Sequence, residues 1–173
     1  MLNRIQRTLK HAWLDESTTR RAIPIDSLQR LQQRVTASEQ RHAGEIRIYV
    51  EAGLPLSYLW RDASTSQITR DRALAMFSKL RVWDTAQNNG VLIYLLLAEH
   101  AIELVADRGL SEVVEPQVWQ TMVERMRTAF QQGQFEDGLT HALEEVSTLL
   151  VAHFPLKAGE TNPNELSDRP VLN

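Results

Sequence analysis

The fold is decided by residues 82–109, which read Val-Trp-Asp-Thr-Ala-Gln-Asn-Asn-Gly-Val-Leu-Ile-Tyr-Leu-Leu-Leu-Ala-Glu-His-Ala-Ile-Glu-Leu-Val-Ala-Asp-Arg-Gly. Val91–Leu97 is an uninterrupted apolar run, which is typical of a central strand covered on both faces. Glu99-His100 predicts a tight turn, and Ile102–Asp107 predicts a second strand that pairs with the first in a hairpin. Asn89-Gly90, just before the apolar run, favours a turn with positive φ.

The flanking sequence adds one strand and several helices. Glu45–Glu51 alternates strictly between apolar and polar side chains, as a strand with one buried face does. Apolar side chains at three- to four-residue spacing predict helices over about 24–40, 64–82, 116–132 and 135–153. This order predicts an α/β (α+β) fold in which helices pack on a small mixed β-sheet.

Residues 82–109 resemble the TPM domain family. The upstream strand after Gly44 and helix 64–82, and the downstream segment Gln131–Phe135, also match the order of elements in that family. The resemblance covers about 39–155 and is nearest to the short, soluble bacterial members, which lack a signal peptide and a membrane anchor. It implies a mixed sheet of about four strands packed between helices. Some members bind divalent metals or are phosphatase-like, with carboxylates in the loop before the central strand.

This chain departs from that family pattern at two places. Asn88-Asn89-Gly90 stands where many relatives have Asp-Asn-Gly, so one carboxylate is replaced by an amide that brings no charge. Asp107-Arg108-Gly109 follows the second hairpin strand, where many relatives have glycine directly. One carboxylate is therefore lost and another is gained nearby.

The sequence predicts three parts: a basic N-terminal helix and linker over 1–22, the TPM-like domain over 23–155, and a flexible polar tail over 156–173. Met1–Trp13 has a loose helical period, with Arg4, Arg7 and Lys10 opposite the apolar side chains. The polar segment Asp15–Arg21 is interpreted as a linker. The tail contains two prolines and little apolar sequence.

Composition limits the classes of function. The 173 residues contain no cysteine, which excludes disulfides, thiolate metal sites and cysteine nucleophiles. The net charge of −3 and the absence of basic residues interleaved with aromatics argue against nucleic-acid binding. The longest apolar run is far shorter than the roughly 20 residues that span a bilayer. We therefore expect a cytoplasmic protein without a transmembrane segment.

The strongest candidate site is the hairpin mouth, which we define as Asp84, Asn88, Asn89 and Asp107. A hairpin brings its two outer ends together, so these side chains should lie at one edge of the sheet. Oxygen ligands of this kind suit Ca²⁺ or Mg²⁺, and a metal-bound water can hydrolyse phosphate esters. Alternatively, Asp84 caps a turn, and Asp107 pairs with Arg108 or stabilises the loop.

A second candidate lies at the predicted strand Glu45–Glu51, which we label β1. We define this β1 polar cluster as Glu39, His42, Glu45 and Arg47. Glu39 and His42 share a helix face if the helix extends that far, and Glu45 and Arg47 share one face of the strand. Together they can bind a cation or an anion, and His42 can act as a general base. The alternative is a charged network that covers the open face of the sheet.

Two functions are consistent with these features. The first is a divalent-metal-binding protein with phosphatase-like hydrolysis. The second is a non-enzymatic interaction or scaffold module at an envelope-associated complex. In that case the basic N-terminal helix contacts a protein partner or a membrane surface, since residues 1–47 carry nine basic against five acidic side chains.

Overall fold

A four-stranded mixed β-sheet forms the centre of the molecule. The computed structural model describes residues 2–173, with side chains from residue 5 onward. The strands are β1 (Glu45–Glu51), β2 (Gly90–Leu96), β3 (Ala101–Ala106) and β4 (Val171–Leu172). The strand order is β3-β2-β1-β4, in which β1 runs parallel to β2 and β4, and β2 runs antiparallel to β3. The predicted α/β class, the β1 strand and the hairpin are confirmed.

Helices cover both faces of the sheet. The helices are α1 (Leu2–Ala12), α2 (Glu16–Ala22), α3 (Ile25–Glu39), α4 (Leu56–Leu59), α5 (Thr65–Lys79), α6 (Arg108–Ser111), α7 (Pro116–Gln131) and α8 (Phe135–His153). One face of β1 and β2 packs on α3, α7 and α8, and the other packs on α5. All seven residues of β2 are buried, which explains the unbroken apolar run.

The segment interpreted as a linker, Asp15–Arg21, is instead mostly helix α2. Asp15 is its N-cap, and its side chain accepts hydrogen bonds from the backbone N–H groups of Ser17 and Thr18. Such a cap contributes about 1 kcal/mol. The helix is short and polar, so it has no apolar periodicity to reveal it, although it buries Thr19 and leads into the buried Ile23.

The N-terminal helix α1 is docked on the domain by its basic side chains. The Arg7 guanidinium donates to the carbonyl oxygens of Leu59 and Arg61, in both cases over 3.0 Å. His11 accepts the Leu54 N–H at Nδ1 over 2.9 Å and contacts Glu99 through Nε2. Met1 and the side chain of Arg4, which belong to the predicted basic helix, lie outside the described residues.

The C-terminal segment, expected to be a flexible tail, lies against the domain and ends in β4. Asn173 donates its N–H to Val50 and accepts the N–H of Ala52, so the segment extends the sheet beyond β1. Leu166 and Val171 pack on the α5 side of the sheet. A few scattered apolar residues in a polar segment give no periodic signal, which explains the difference from the expectation.

Within residues 2–173, we find no helix with the length and apolar character needed to cross a membrane.

Candidate functional site

The hairpin mouth is held together by backbone hydrogen bonds between its two sides. The Asp107 N–H donates to Gly90 over 2.9 Å, and the Gly109 N–H donates to Asn88 over 2.8 Å. Only glycine fits at position 90, because a Cβ there would lie 2.0 Å from the Val82 carbonyl oxygen. Asn88 takes a left-handed conformation with φ of 51°, which asparagine tolerates better than most residues.

Asp107 keeps one carboxylate oxygen unused. Its Oδ1 accepts the backbone N–H of Arg108 over 2.8 Å and caps the short helix α6. Its Oδ2 is buried and has no hydrogen-bond partner. The guanidinium of Arg108 turns instead to Asn88 Oδ1, 3.2 Å away. The neighbouring arginine therefore does not neutralise Asp107 through a direct ion pair.

Asn89 has the same kind of unused oxygen. Its Nδ2 donates to the Ala43 carbonyl over 2.8 Å, and its backbone N–H donates to Thr85 Oγ1 over 3.1 Å. These contacts fix the amide and leave the buried Oδ1 without a partner. A buried acceptor left in this state costs about 1–3 kcal/mol, so it is an expensive feature to retain.

Asp84 lies apart from these buried oxygens. Its carboxylate is exposed and forms an ion pair of 3.5 Å with Arg81. The structure thus brings Asn88, Asn89 and Asp107 together at the hairpin and leaves Asp84 on the outside of the loop. Among residues 2–173, no three His, Asp or Glu side chains lie close enough together to form a metal-ligand set.

In the β1 polar cluster, the carboxyl groups of Glu39 and Glu45 are buried at the start of β1. Glu39 accepts the Ile46 N–H over 2.8 Å, and Glu45 accepts the Leu166 N–H over 3.0 Å. In each case the second oxygen has no partner. Burial, followed by the negative charges of Glu45 and Asp168, raises the pKa of Glu39 to about 8. Burial also raises the pKa of Glu45.

The other two members of the β1 polar cluster have structural contacts. His42 is fully buried, with Nδ1 3.1 Å from the Gly44 carbonyl oxygen and Nε2 2.8 Å from Ser38 Oγ. Burial lowers the pKa of His42 to about 4, so the ring is neutral at pH 7 with both nitrogens occupied. Arg47 donates to the carbonyl oxygens of Ser167 and Arg169 and fastens the C-terminal segment.

Four residues carry a buried side-chain oxygen without a partner in the described part of the chain, and all lie at one end of the sheet. They are Glu39, Glu45, Asn89 and Asp107. Glu45 stands opposite Gly90 in β1, and Asp107 is bonded to Gly90 from the other side. Residues opposite each other share a face of the sheet. Glu45 and Asp107 therefore lie on the same face, one on each side of Gly90, which has no side chain.

Comparison with known proteins shows to which family the chain belongs. The model of the TPM domain family matches residues 22–149. The chain belongs to the TPM domain family. It is also similar to the NMR structure of the BA42 protein from the psychrophilic bacterium Bizionia argentinensis, with 25% identity and a TM-score of 0.71. That likeness covers 86% of this chain and 94% of the other. A search of curated proteins gives no match.

This TPM domain also contains a polar centre that periodicity did not reveal. Glu51, at the end of β1, is buried and binds Arg72 of α5, with Arg72 Nε 2.9 Å from Oε2. The Tyr94 hydroxyl donates to the same Oε2 over 2.6 Å, and burial raises the Tyr94 pKa. Tyr49 stacks on Tyr94 with ring centroids 5.9 Å apart. The alternation of β1 puts Glu51 on the Tyr49 face, but only the packing of α5 supplies Arg72.

Proposed function

We propose that the hairpin mouth of this TPM domain binds a divalent cation through Asn89 Oδ1 and Asp107 Oδ2. The observation that carries the proposal is that both oxygens are buried and have no hydrogen-bond partner. A cation supplies the missing partner for both and removes the cost of leaving them unpaired. Asn88 and Asp84 are not assigned as ligands, because Asn88 binds Arg108 and Asp84 is exposed beside Arg81.

The donors fit a weak site for a hard cation. Carboxylate and amide oxygens are the ligands that Ca²⁺ and Mg²⁺ prefer, and Ca²⁺ tolerates the less regular geometry. Asp107 is the single carboxylate assigned here, so backbone carbonyls and water must complete the coordination. We therefore expect Ca²⁺ to bind more tightly than Mg²⁺, with a dissociation constant of about 10⁻⁴–10⁻³ M.

The activity that such a site supports is hydrolysis of a phosphate ester. The matching family model bears the word phosphatase in its name. A bound cation lowers the pKa of a water molecule and balances the charge on phosphate oxygens. Arg108 is exposed beside the hairpin mouth, where its guanidinium can donate two N–H groups to two oxygens of a phosphate group. Asp107 Oδ2, the ligand proposed above, would hold the cation at the same place.

Titration calorimetry with Ca²⁺ and Mg²⁺ tests the cation site. Asp107→Asn preserves the Oδ1 that caps α6 but replaces the free oxygen with an amide group, so binding should be lost. Asp84→Asn is the matched control, because it removes an exposed carboxylate from the same loop and should leave binding unchanged. Equal binding by Asp107→Asn and the unmodified chain would contradict the site.

The hydrolytic step has a separate test. Arg108→Met should lower Ca²⁺-dependent hydrolysis of p-nitrophenyl phosphate at least tenfold while the Ca²⁺ dissociation constant changes little. If the unmodified chain binds Ca²⁺ but does not hydrolyse phosphate esters, the activity is wrong and the cation site stands.

A second candidate function is contact with an anionic lipid surface through α1. The docked helix turns Arg7 and His11 inward and leaves Ile5, Leu9 and Trp13 exposed by 49%, 60% and 86%. These residues are four apart and form one stripe. Leu56 of the contacting helix α4 and Trp60, which directly follows that helix, are exposed as well. Tryptophan and leucine on one face of a basic helix are typical of interfacial helices.

Vesicle sedimentation tests this second candidate. The chain should bind vesicles of mixed phosphatidylglycerol and phosphatidylcholine more strongly than vesicles of phosphatidylcholine alone. Leu9→Gln with Trp13→Gln should abolish that binding, whereas Trp83→Gln, at an exposed tryptophan elsewhere, should not. Equal sedimentation of the two variants would contradict a role for the stripe.

A further inference from the structure

The outer edge of β3 carries backbone groups that no strand in residues 2–173 pairs with. β3 is the last strand on its side, and no other strand in residues 2–173 pairs with that side. The Asp107–Gly90 hydrogen bond fixes the pattern of the antiparallel pair, so residues 103 and 105 point their backbone groups towards β2. Ile102, Leu104 and Ala106 therefore point their N–H and C=O groups outward. The contact of Arg70 with the Leu104 carbonyl, 2.7 Å long, agrees with this assignment.

Two cavities line this edge from end to end. The larger, of about 790 Å³, borders Glu103, Leu104 and Ala106. The smaller, of about 310 Å³, borders Ala101, Ile102 and Glu103. Both also touch Val123, so together they form one groove along the whole strand. A six-residue extended peptide is about 20 Å long and matches the length of β3.

The two walls of the groove differ in character. The α7 wall presents Trp119 and Val123, which are partly buried and apolar. The α5 wall presents Thr69 and Arg70, next to Glu103. Side chains of an added strand would point alternately to these two walls. The groove thus fits a segment in which apolar residues alternate with polar ones.

We propose that the outer edge of β3 binds an extended peptide of alternating apolar and polar residues, which adds a fifth strand to the sheet. This mode of recognition draws affinity from backbone hydrogen bonds and specificity from alternate side chains. At the opposite edge of the same sheet, β1 already pairs with the short segment Val171–Leu172. Arg70 covers the Leu104 carbonyl and must move aside when the peptide binds, as charged residues that protect free edges do.

Hydrogen exchange and peptide titration on the full chain test the proposal. The probes are four capped eight-residue peptides in which valine, isoleucine, leucine or phenylalanine alternates with threonine and lysine. At least one should bind, and the Leu104 and Ala106 amides should then exchange at least tenfold more slowly. A peptide of the same composition with its apolar residues in one block should not have this effect.

Two matched variants separate the groove from the rest of α7. Val123→Gln places a polar group on the apolar wall and should weaken peptide binding about tenfold. Val118→Gln makes the same change on α7 at an exposed residue outside the groove, and should leave binding unchanged. The proposal is overturned if no alternating peptide binds below 1 mM. It is also overturned if the Leu104 and Ala106 amides become protected by self-association of the chain.

Discussion

Arg72 holds the buried carboxylate of Glu51 in a two-point contact, with Nε 2.9 Å from Oε2 and Nη2 2.5 Å from Oε1. The two side chains are exposed by only 12% and 1%. Arg72→Met should lower the free energy of unfolding by about 3–5 kcal/mol, because it leaves an uncompensated buried charge. Urea denaturation measures this loss.

The control for that prediction is a surface ion pair. Arg20 and Glu16 lie 2.6 Å apart, but their side chains are 71% and 59% exposed. Arg20→Met should therefore cost less than about 1 kcal/mol. If the two variants lost similar stability, the Glu51–Arg72 contact would not be an important part of the core.

Glu39 makes stability depend on pH. Its pKa is about 8 in the folded chain against an ordinary value of 4.5, so the folded state keeps a proton that the unfolded state releases. The resulting stabilisation is present below pH 4.5 and is lost as the pH rises to about 8. His42, with a pKa of about 4 instead of 6.5, has the opposite effect between pH 4 and 6.5. The contribution of Glu39 is therefore clearest between pH 6.5 and 8.

Glu39→Gln isolates this effect. Glutamine keeps an oxygen for the Ile46 N–H but does not titrate, so its free energy of unfolding should change little between pH 6.5 and 8. The unmodified chain should lose up to about 1.4 kcal/mol per pH unit relative to this variant. Glu112→Gln, at an exposed site, should follow the unmodified chain. Parallel pH profiles for Glu39→Gln and the unmodified chain would show that Glu39 is ionised when folded.

Gly90 sets the shape of the hairpin mouth. A Cβ at this position would meet the Val82 carbonyl oxygen at 2.0 Å, so Gly90→Ala should cost about 3 kcal/mol in urea denaturation. Gly159 has a φ of +84° and no neighbouring atom within 4 Å of an added Cβ. Gly159→Ala should therefore cost only about 1–2 kcal/mol of backbone strain. Equal losses would mean that the close approach at Gly90 is not a constraint.

Local periodicity predicted most of the regular structure. The alternation over Glu45–Glu51 matches β1 residue for residue, and the apolar run and turn signals located the hairpin of β2 and β3. Helix α2 was not predicted, because it is stabilised by the Asp15 cap and has no apolar stripe. Strand β4 was not predicted because it is only two residues long and pairs with residues 122 positions earlier in the chain, Val171 with Tyr49 and Leu172 with Val50.

The sequence likewise predicted only part of the candidate site. Hairpin geometry predicted that Asn89 and Asp107 lie at one edge, since a hairpin brings its outer ends together. The sequence could not show that Asp84 turns outward to Arg81, because that depends on the path of the loop. Nor could it show the covering of Glu45 by Leu166, which depends on where the C-terminal segment lies.

The most direct test of the cation site is a backbone NMR titration of the unmodified chain with Ca²⁺. Saturable shifts should centre on residues 88–90 and 107–109, and the Asn89 side-chain amide should move with the same dissociation constant. The thermal midpoint should rise over the same range, because a ligand that binds only the folded state stabilises it. No saturable shift at 10 mM Ca²⁺, or shifts centred on exposed carboxylates such as Asp84, would contradict the proposal.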